Sequence, residues 1–109
     1  MDEVSRLKIQ VFYFDDCPNY EPAVALIRRT AEEIAVNIDI ELVYIDSPES
    51  AQANRFLGSP TIHVEGIDID PAARGRADFG VSCRRYGSSG VPSREMIVAA
   101  LKTGNGGSK

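Results

Sequence analysis

Two cysteines and one histidine are the residues of this 109-residue chain with the most distinctive chemistry, and Cys17 has the most telling surroundings. It follows the apolar run Val11-Phe12-Tyr13-Phe14 and precedes Pro18-Asn19-Tyr20, where an amphipathic pattern begins. Proline is favoured at the first helical position, because its missing N–H is not needed there and its φ is already helical. Cys17 is therefore expected at a helix N-cap, where unpaired backbone donors and the positive end of the helix dipole favour thiolate over thiol. Asp15 and Asp16 oppose that ionisation. Tyr20, one helical turn on, either donates to the sulfur or packs. Cys83 lies in a polar stretch beside Arg84 and Arg85, cations that help ionise it, and it is a candidate second thiol. His63 has no second histidine to pair with, and on a short strand it reads as a hydrogen-bonded structural residue rather than a metal ligand. Arg74, Arg76, Arg84 and Arg85 form either a solvated loop or an anion site.

The elements that must position these groups follow from periodicity. Leu7 to Phe14 suits a strand buried on both faces in the middle of a sheet. From Pro18 to about Ala35, Val24, Ile27, Ala31 and Ile34 recur at helical spacing. Ile38 to Asp46 reads as a second strand, and Ser47-Pro48 opens a second helix as N-cap and first residue. That helix carries Ala51, Ala53, Phe56 and Leu57 and is expected to stop at Gly58. Ser59 to Asp70 gives two short alternating runs around Glu65-Gly66, a hairpin signal. Residues 71 to 91 have no sustained period and read as a long connection with room for one helical turn. Pro92 to Leu101 restores helical spacing, with Gly104 as stop and residues from about 103 onward as a flexible tail. The order is β-α-β-α-β-β-α, an α/β architecture in a single domain spanning 1–109.

A parallel β-α-β unit followed by a hairpin is most simply completed with the third strand antiparallel beside the first and the fourth outermost. The end of the first strand, the start of the third at Pro60, and the exit of the fourth then meet at one edge of the sheet. The connection bearing Cys83 should leave from that same edge.

With Cys17-Pro18-Asn19-Tyr20 after a strand and Gly58-Ser59-Pro60-Thr61 opening another, the chain resembles the thioredoxin and glutaredoxin superfamily over its whole element order. The resemblance implies a three-layer thioredoxin-like fold with a four-stranded mixed sheet. It also implies a cis peptide before Pro60, facing the cysteine and binding substrate through its backbone. Pro18, Tyr20, Ser59, Pro60, Thr61 and Arg84 are the implied substrate-binding residues, with Cys17 and Cys83 catalytic. One departure matters: Tyr20 stands where the family's C-x-x-C motif has its second cysteine, so a disulfide within the motif is impossible. Together with Phe56-Leu57-Gly58-Ser59-Pro60-Thr61 and Asp78-Phe79-Gly80-Val81-Ser82-Cys83-Arg84, the motif looks like that of a group of small bacterial thioredoxin-like proteins, some labelled alkylmercury lyase.

Three function classes are compatible with these residues. The first is thiol-disulfide exchange at Cys17, resolved by Cys83 or an external thiol and acting on protein or low-molecular-weight thiols and disulfides, glutathione among them. The second is handling of a soft metal or organomercurial by the two thiolates. The third is a thioredoxin-like binding module without turnover. No resident metal or cofactor is expected. A net charge of −4 without a lysine run disfavours nucleic acid. No apolar run approaches the roughly 20 residues of a membrane helix. The acidic N-terminus lacks a secretory pattern, so a cytoplasmic location is expected, while the oligomeric state is open.

Overall fold

A computed structural model describes residues 6–14, 20–73, 75 and 90–104. Its elements are β1 (Leu7–Tyr13), α1 (Tyr20–Glu33), β2 (Ile38–Tyr44), α2 (Pro48–Ala53), β3 (Thr61–Val64), β4 (Ile67–Asp68), a 3₁₀ turn at Pro71–Ala73, and α3 (Arg94–Gly104). The strands form one mixed sheet in the order β2-β1-β3-β4. β1 pairs in parallel with β2, with Leu7 opposite Ile38 and Tyr13 opposite Tyr44. β3 runs antiparallel to β1, with Phe12 opposite Thr61, and β4 antiparallel to β3, with His63 opposite Asp68. This is the strand order and polarity expected from the sequence.

Alternation along β1 builds the two sides of the sheet. Leu7, Ile9 and Val11 point to one side, where they pack with Ile62 and Val64, with Ala23, Ile27 and Ala31 of α1, and with Ile97, Ala100 and Leu101 of α3. Phe12 points to the other, where it joins Ile45, Ala51 and Phe56, with Phe14 and Val43 against them. The result is three layers. The second side is covered over half its length only, since Lys8 is exposed and Gln10 half-buried. Burial on both faces, expected along all of the first strand, thus holds only toward its C-terminal end, where α2 and the chain after it lie.

Both N-caps and C-caps explain where the helices begin and end. The Ser47 hydroxyl accepts from the Ser50 N–H at 3.1 Å, so Ser47 caps α2 as its sequence indicates. At α3 the cap is Ser93, whose hydroxyl accepts from the Met96 N–H at 3.1 Å. α3 therefore starts two residues beyond Pro92 and continues through Thr103 to Gly104, into the stretch expected to be tail. α1 and α2 end alike. Val36 N–H bonds to Ala31 C=O and Ala35 N–H to Glu32 C=O, and the same pair of bonds joins Phe56 to Ala51 and Arg55 to Gln52. These are Schellman closures, in which the residue after the cap turns left-handed. Ala35 (φ 59°) and Arg55 (φ 55°) hold those positions.

Gly58, expected to stop α2, is thus not its cap: the helix ends at Ala53, and Phe56 and Leu57 belong to the following loop. Phe56 still buries against Ala51, as the closure requires. On α1 the fully buried face is Ala23, Ile27, Thr30 and Ala31, while Val24 and Ile34 are only half-buried, so the core stripe is rotated from the expected one. Residues 18 and 19, the expected start of that helix, lie outside the described residues. β2 stops at Tyr44 rather than Asp46 because Ile45 turns into the second core, its N–H bonded to Tyr13 C=O at 2.7 Å. The hairpin closes through Glu65 (φ 53°) and Gly66 (φ 83°), and positive φ at both central residues marks a type I′ turn.

Candidate functional site

The described members of the expected site, Tyr20 and the Ser59-Pro60-Thr61 segment, lie toward the edge of the sheet where β1 ends. Register sets this: Thr61 opposes Phe12, so the Pro60 loop arrives beside the strand that leads into the 15–19 link containing Cys17. Ile69 N–H bonds to Ile62 C=O at 2.9 Å, so β4 leaves the sheet toward this edge, as expected. The path of residues 76–89, with Cys83 and Arg84, lies outside the described residues. So do Cys17, Pro18, Asp15, Asp16, Arg74, Arg76 and Arg85.

Four of the expected site residues are described. The Ser59–Pro60 peptide is cis, and both residues are fully buried. Thr61 organises the approach to them: its hydroxyl donates to Gly58 C=O at 2.6 Å and accepts from Leu57 N–H at 3.1 Å. A fully buried hydroxyl with a strong donor contact and an acceptor contact ties both sides of the left-handed Gly58 (φ 113°) to the start of β3. The Leu57 N–H and Gly58 C=O groups of the loop are thereby satisfied. Ser59 is the exception: its Oγ is buried without a hydrogen-bond partner among the described residues. A buried unpaired hydroxyl is costly, so its presence calls for an explanation.

Tyr20 opens α1 and stacks on Tyr13, with ring centroids 4.3 Å apart and planes 21° from parallel. Tyr13 in turn contacts Tyr44 at 5.6 Å, its partner in the β1–β2 register. Stacking on Tyr13 engages the Tyr20 ring, while the reading in which Tyr20 donates to the Cys17 sulfur falls on a residue outside the described ones. Tyr44 is 46% exposed and Leu42 50%, so the aromatic row runs out onto the β2 edge. Sequence reasoning missed this row. The signal was present in two strands that each end in tyrosine, once their parallel register is known.

His63 is 93% buried on β3, its ring edge-on to Phe12 at 4.8 Å. That supports the structural role read from sequence. Among the described residues no group of three or more His, Cys, Asp or Glu could hold a metal ion. Among them, also, no helix is long and apolar enough to cross a membrane.

Comparison with known proteins adds one relative that spans nearly the whole chain. A thioredoxin from Methanocaldococcus jannaschii is 23% identical over 100 residues, which cover 91% of this chain and 96% of that protein. With the β2-β1-β3-β4 sheet, its two-sided helix layers and this likeness, the fold is settled. It is thioredoxin-like. No protein-family model matches the chain, and no solved structure matches it. The thioredoxin-like frame accounts for the convergence at one sheet edge of the end of β1, the N-terminus of α1 and the Ser59-Pro60-Thr61 segment.

Proposed function

We propose that this protein carries out thiol-disulfide exchange with Cys17 as nucleophile. The observation that carries the reading is the β1–β3 register, which sets the buried Ser59-Pro60 segment beside the strand leading into Cys17. Likeness to a thioredoxin along nearly the full length supports it. In the reaction, the Cys17 thiolate attacks one sulfur of a substrate disulfide, forming a mixed disulfide and releasing the other sulfur as thiolate. A second thiol then attacks the Cys17 sulfur and releases the remaining substrate half as thiolate. The substrate disulfide is reduced by two electrons, and the two attacking thiols are oxidised to a disulfide.

Tyr20 excludes a resolving thiol within the motif, so Cys83 or an external thiol such as glutathione must supply it. The Ser59-Pro60-Thr61 segment, itself buried, underlies the place where an extended substrate lies, with Pro18, Tyr20 and Arg84 contributing to it. Such chemistry belongs in a reducing compartment, consistent with a cytoplasmic protein.

Reduction of insulin disulfides, driven by glutathione or dithiothreitol, tests the reading with two variants. Cys17→Ser should lower the rate to the uncatalysed background. Cys83→Ser should leave a trapped mixed disulfide if Cys83 resolves it, and full turnover with glutathione if an external thiol does. In the unaltered chain, Cys17 should react with iodoacetamide near neutral pH faster than an ordinary thiol, and Asp16→Asn should raise that rate by removing a nearby negative charge. No turnover with any donor, and alkylation only at alkaline pH, would leave a binding module instead.

A further inference from the structure

β2 is an outer strand of the sheet, and the hydrogen bonds at its two ends fix which of its backbone groups turn outward. Leu7 N–H bonds to Asn37 C=O and Ile45 N–H to Tyr13 C=O, so the residues just before and just after β2 direct their backbone toward β1. Alternation carries this pattern along the strand. Asp39, Glu41 and Val43 face β1, and Ile38, Ile40 and Leu42 point their N–H and C=O groups away from the sheet. A row of this kind is a template for a further strand, unless a proline, a lysine or a bulge blunts it. β2 contains neither residue, and its register with β1 is unbroken.

Beside that row the strand presents an apolar side chain. Leu42 is 50% exposed, and as the register partner of Val11 it lies on the side of the sheet that carries α1. There it borders a groove of about 310 Å³ whose other wall includes Glu21, Val24, Ala25 and Arg28 of α1. Spacings of three and four residues put these positions on one helical stripe. Glu21, Ala25 and Arg28 are exposed and Val24 is half-buried. The stripe thus has an acid at one end, a base at the other and small apolar residues between them. Turned end for end, it is its own complement.

We infer that two copies of this chain associate through β2, antiparallel about a twofold axis at Leu42, so that one sheet runs through both. Charge selects the axis. Paired side chains must face the same side of the sheet, so the axis passes through a residue rather than between two. At Ile40 it would oppose Asp39 to Glu41 of the second copy, and at Glu41 it would oppose that residue to itself; like charges directly opposite destabilise a sheet. An axis at Val43 would require Ile45, which has left the strand for the smaller core. At Leu42 the axis opposes Leu42 to itself, Ile40 to Tyr44 and Glu41 to Val43. The same axis sets the two α1 helices antiparallel on one side of the sheet, with Glu21 of each toward Arg28 of the other. Strand and helix agree on the centre, because Leu42 lines the same groove as Val24 and Ala25. Such an interface uses one patch twice and closes at two copies. Neither cysteine takes part, so the association is independent of the redox reading.

Sedimentation equilibrium of the full chain under reducing conditions tests this. The chain has a mass of 11.9 kDa, and a reversible equilibrium between that mass and its double is expected. Leu42→Lys changes a half-exposed side chain and sets two like charges across the axis, so it should leave only monomer with an unchanged circular dichroism spectrum. Glu21→Arg and Arg28→Glu each give the α1 stripe a single sign, and each alone should weaken self-association about tenfold. Mixed in equal amounts, these two variants should recover the dimer, since a basic stripe then meets an acidic one. Monomer at every concentration, or a dimer that survives Leu42→Lys, would overturn the proposal. Assembly beyond two copies would also overturn it, as would a mixture of the charge variants that recovers nothing.

Discussion

The Ser59 hydroxyl has no hydrogen-bond partner among the described residues and no exposure to water. Leaving such a group unpaired costs about 1–3 kcal/mol. Ser59→Ala should therefore hold or raise the stability of the folded chain, by up to about 1 kcal/mol, in a urea titration. If the hydroxyl serves an incoming substrate, the same variant should slow disulfide exchange. Gain in stability with loss of activity would mark a group kept for function, whereas unchanged exchange would remove Ser59 from the substrate surface. Thr30 offers the control, because its Oγ1 is equally buried and without a partner among the described residues but sits in the α1 core. Thr30→Val should alter stability alone. Thr61 is the opposite case. Its hydroxyl satisfies both Leu57 N–H and Gly58 C=O, so Thr61→Val, which keeps the shape, strands two buried backbone groups. A loss of about 1–3 kcal/mol in the same titration is expected, with exchange slowed through displacement of the Ser59-Pro60 segment.

At the scale of elements, the two Schellman closures put non-glycine residues in left-handed conformations, Ala35 after α1 and Arg55 after α2. A side chain there costs energy that glycine avoids. Ala35→Gly should stabilise the chain by about 0.5–1 kcal/mol, net of glycine's greater freedom in the unfolded state, and raise the thermal midpoint. A fall in that midpoint would mean that the Ala35 methyl contributes packing worth more than the strain. These same closures show what could be read in advance. Strand order, the hairpin at Glu65-Gly66 and the Ser47 cap were legible because each rests on a local pattern with one favoured geometry. The end of α2 was not. Gly58 has the residue type and even the positive φ of a cap, but the hydrogen bonds that end the helix are closed three residues earlier at Arg55, a residue type that gives no such signal. The rotated face of α1 escaped for a related reason: Thr30 is polar by type and fully buried in fact. Of the candidate site, the edge where the end of β1 meets the Pro60 segment was legible, since topology follows from element order. The Tyr13–Tyr20–Tyr44 row and the His63–Asp68 pair depend on strand register, and short strands carry little register information.

Among the described residues two unequal cores share one strand. The larger, between the sheet and α1 with α3, includes Ile9, Val11 and Ile27; the smaller, on the other side, rests on Phe12, Ile45, Ala51 and Phe56. β1 contributes consecutive residues, Val11 and Phe12, to opposite sides, so neither core can lose its packing without disturbing the strand that anchors the other. Domains of this size usually unfold in one step. We therefore read the chain as one cooperative unit and expect Ile27→Ala and Phe56→Ala to act on a single transition. Each should lower its stability, Ile27→Ala by about 2–5 kcal/mol and Phe56→Ala by about 3–5 kcal/mol, with secondary structure by circular dichroism and tyrosine fluorescence lost together. The shared strand makes a further distinction measurable. If Phe56→Ala instead splits the transition, with the fluorescence of the Tyr13–Tyr20 stack surviving an early loss of ellipticity, then α2 and its loop unfold separately from the main core. In that case the Ser59-Pro60 segment, which follows directly from that loop, would be ordered only while the smaller core is intact, and disulfide exchange in Phe56→Ala should fail at temperatures where the larger core still holds.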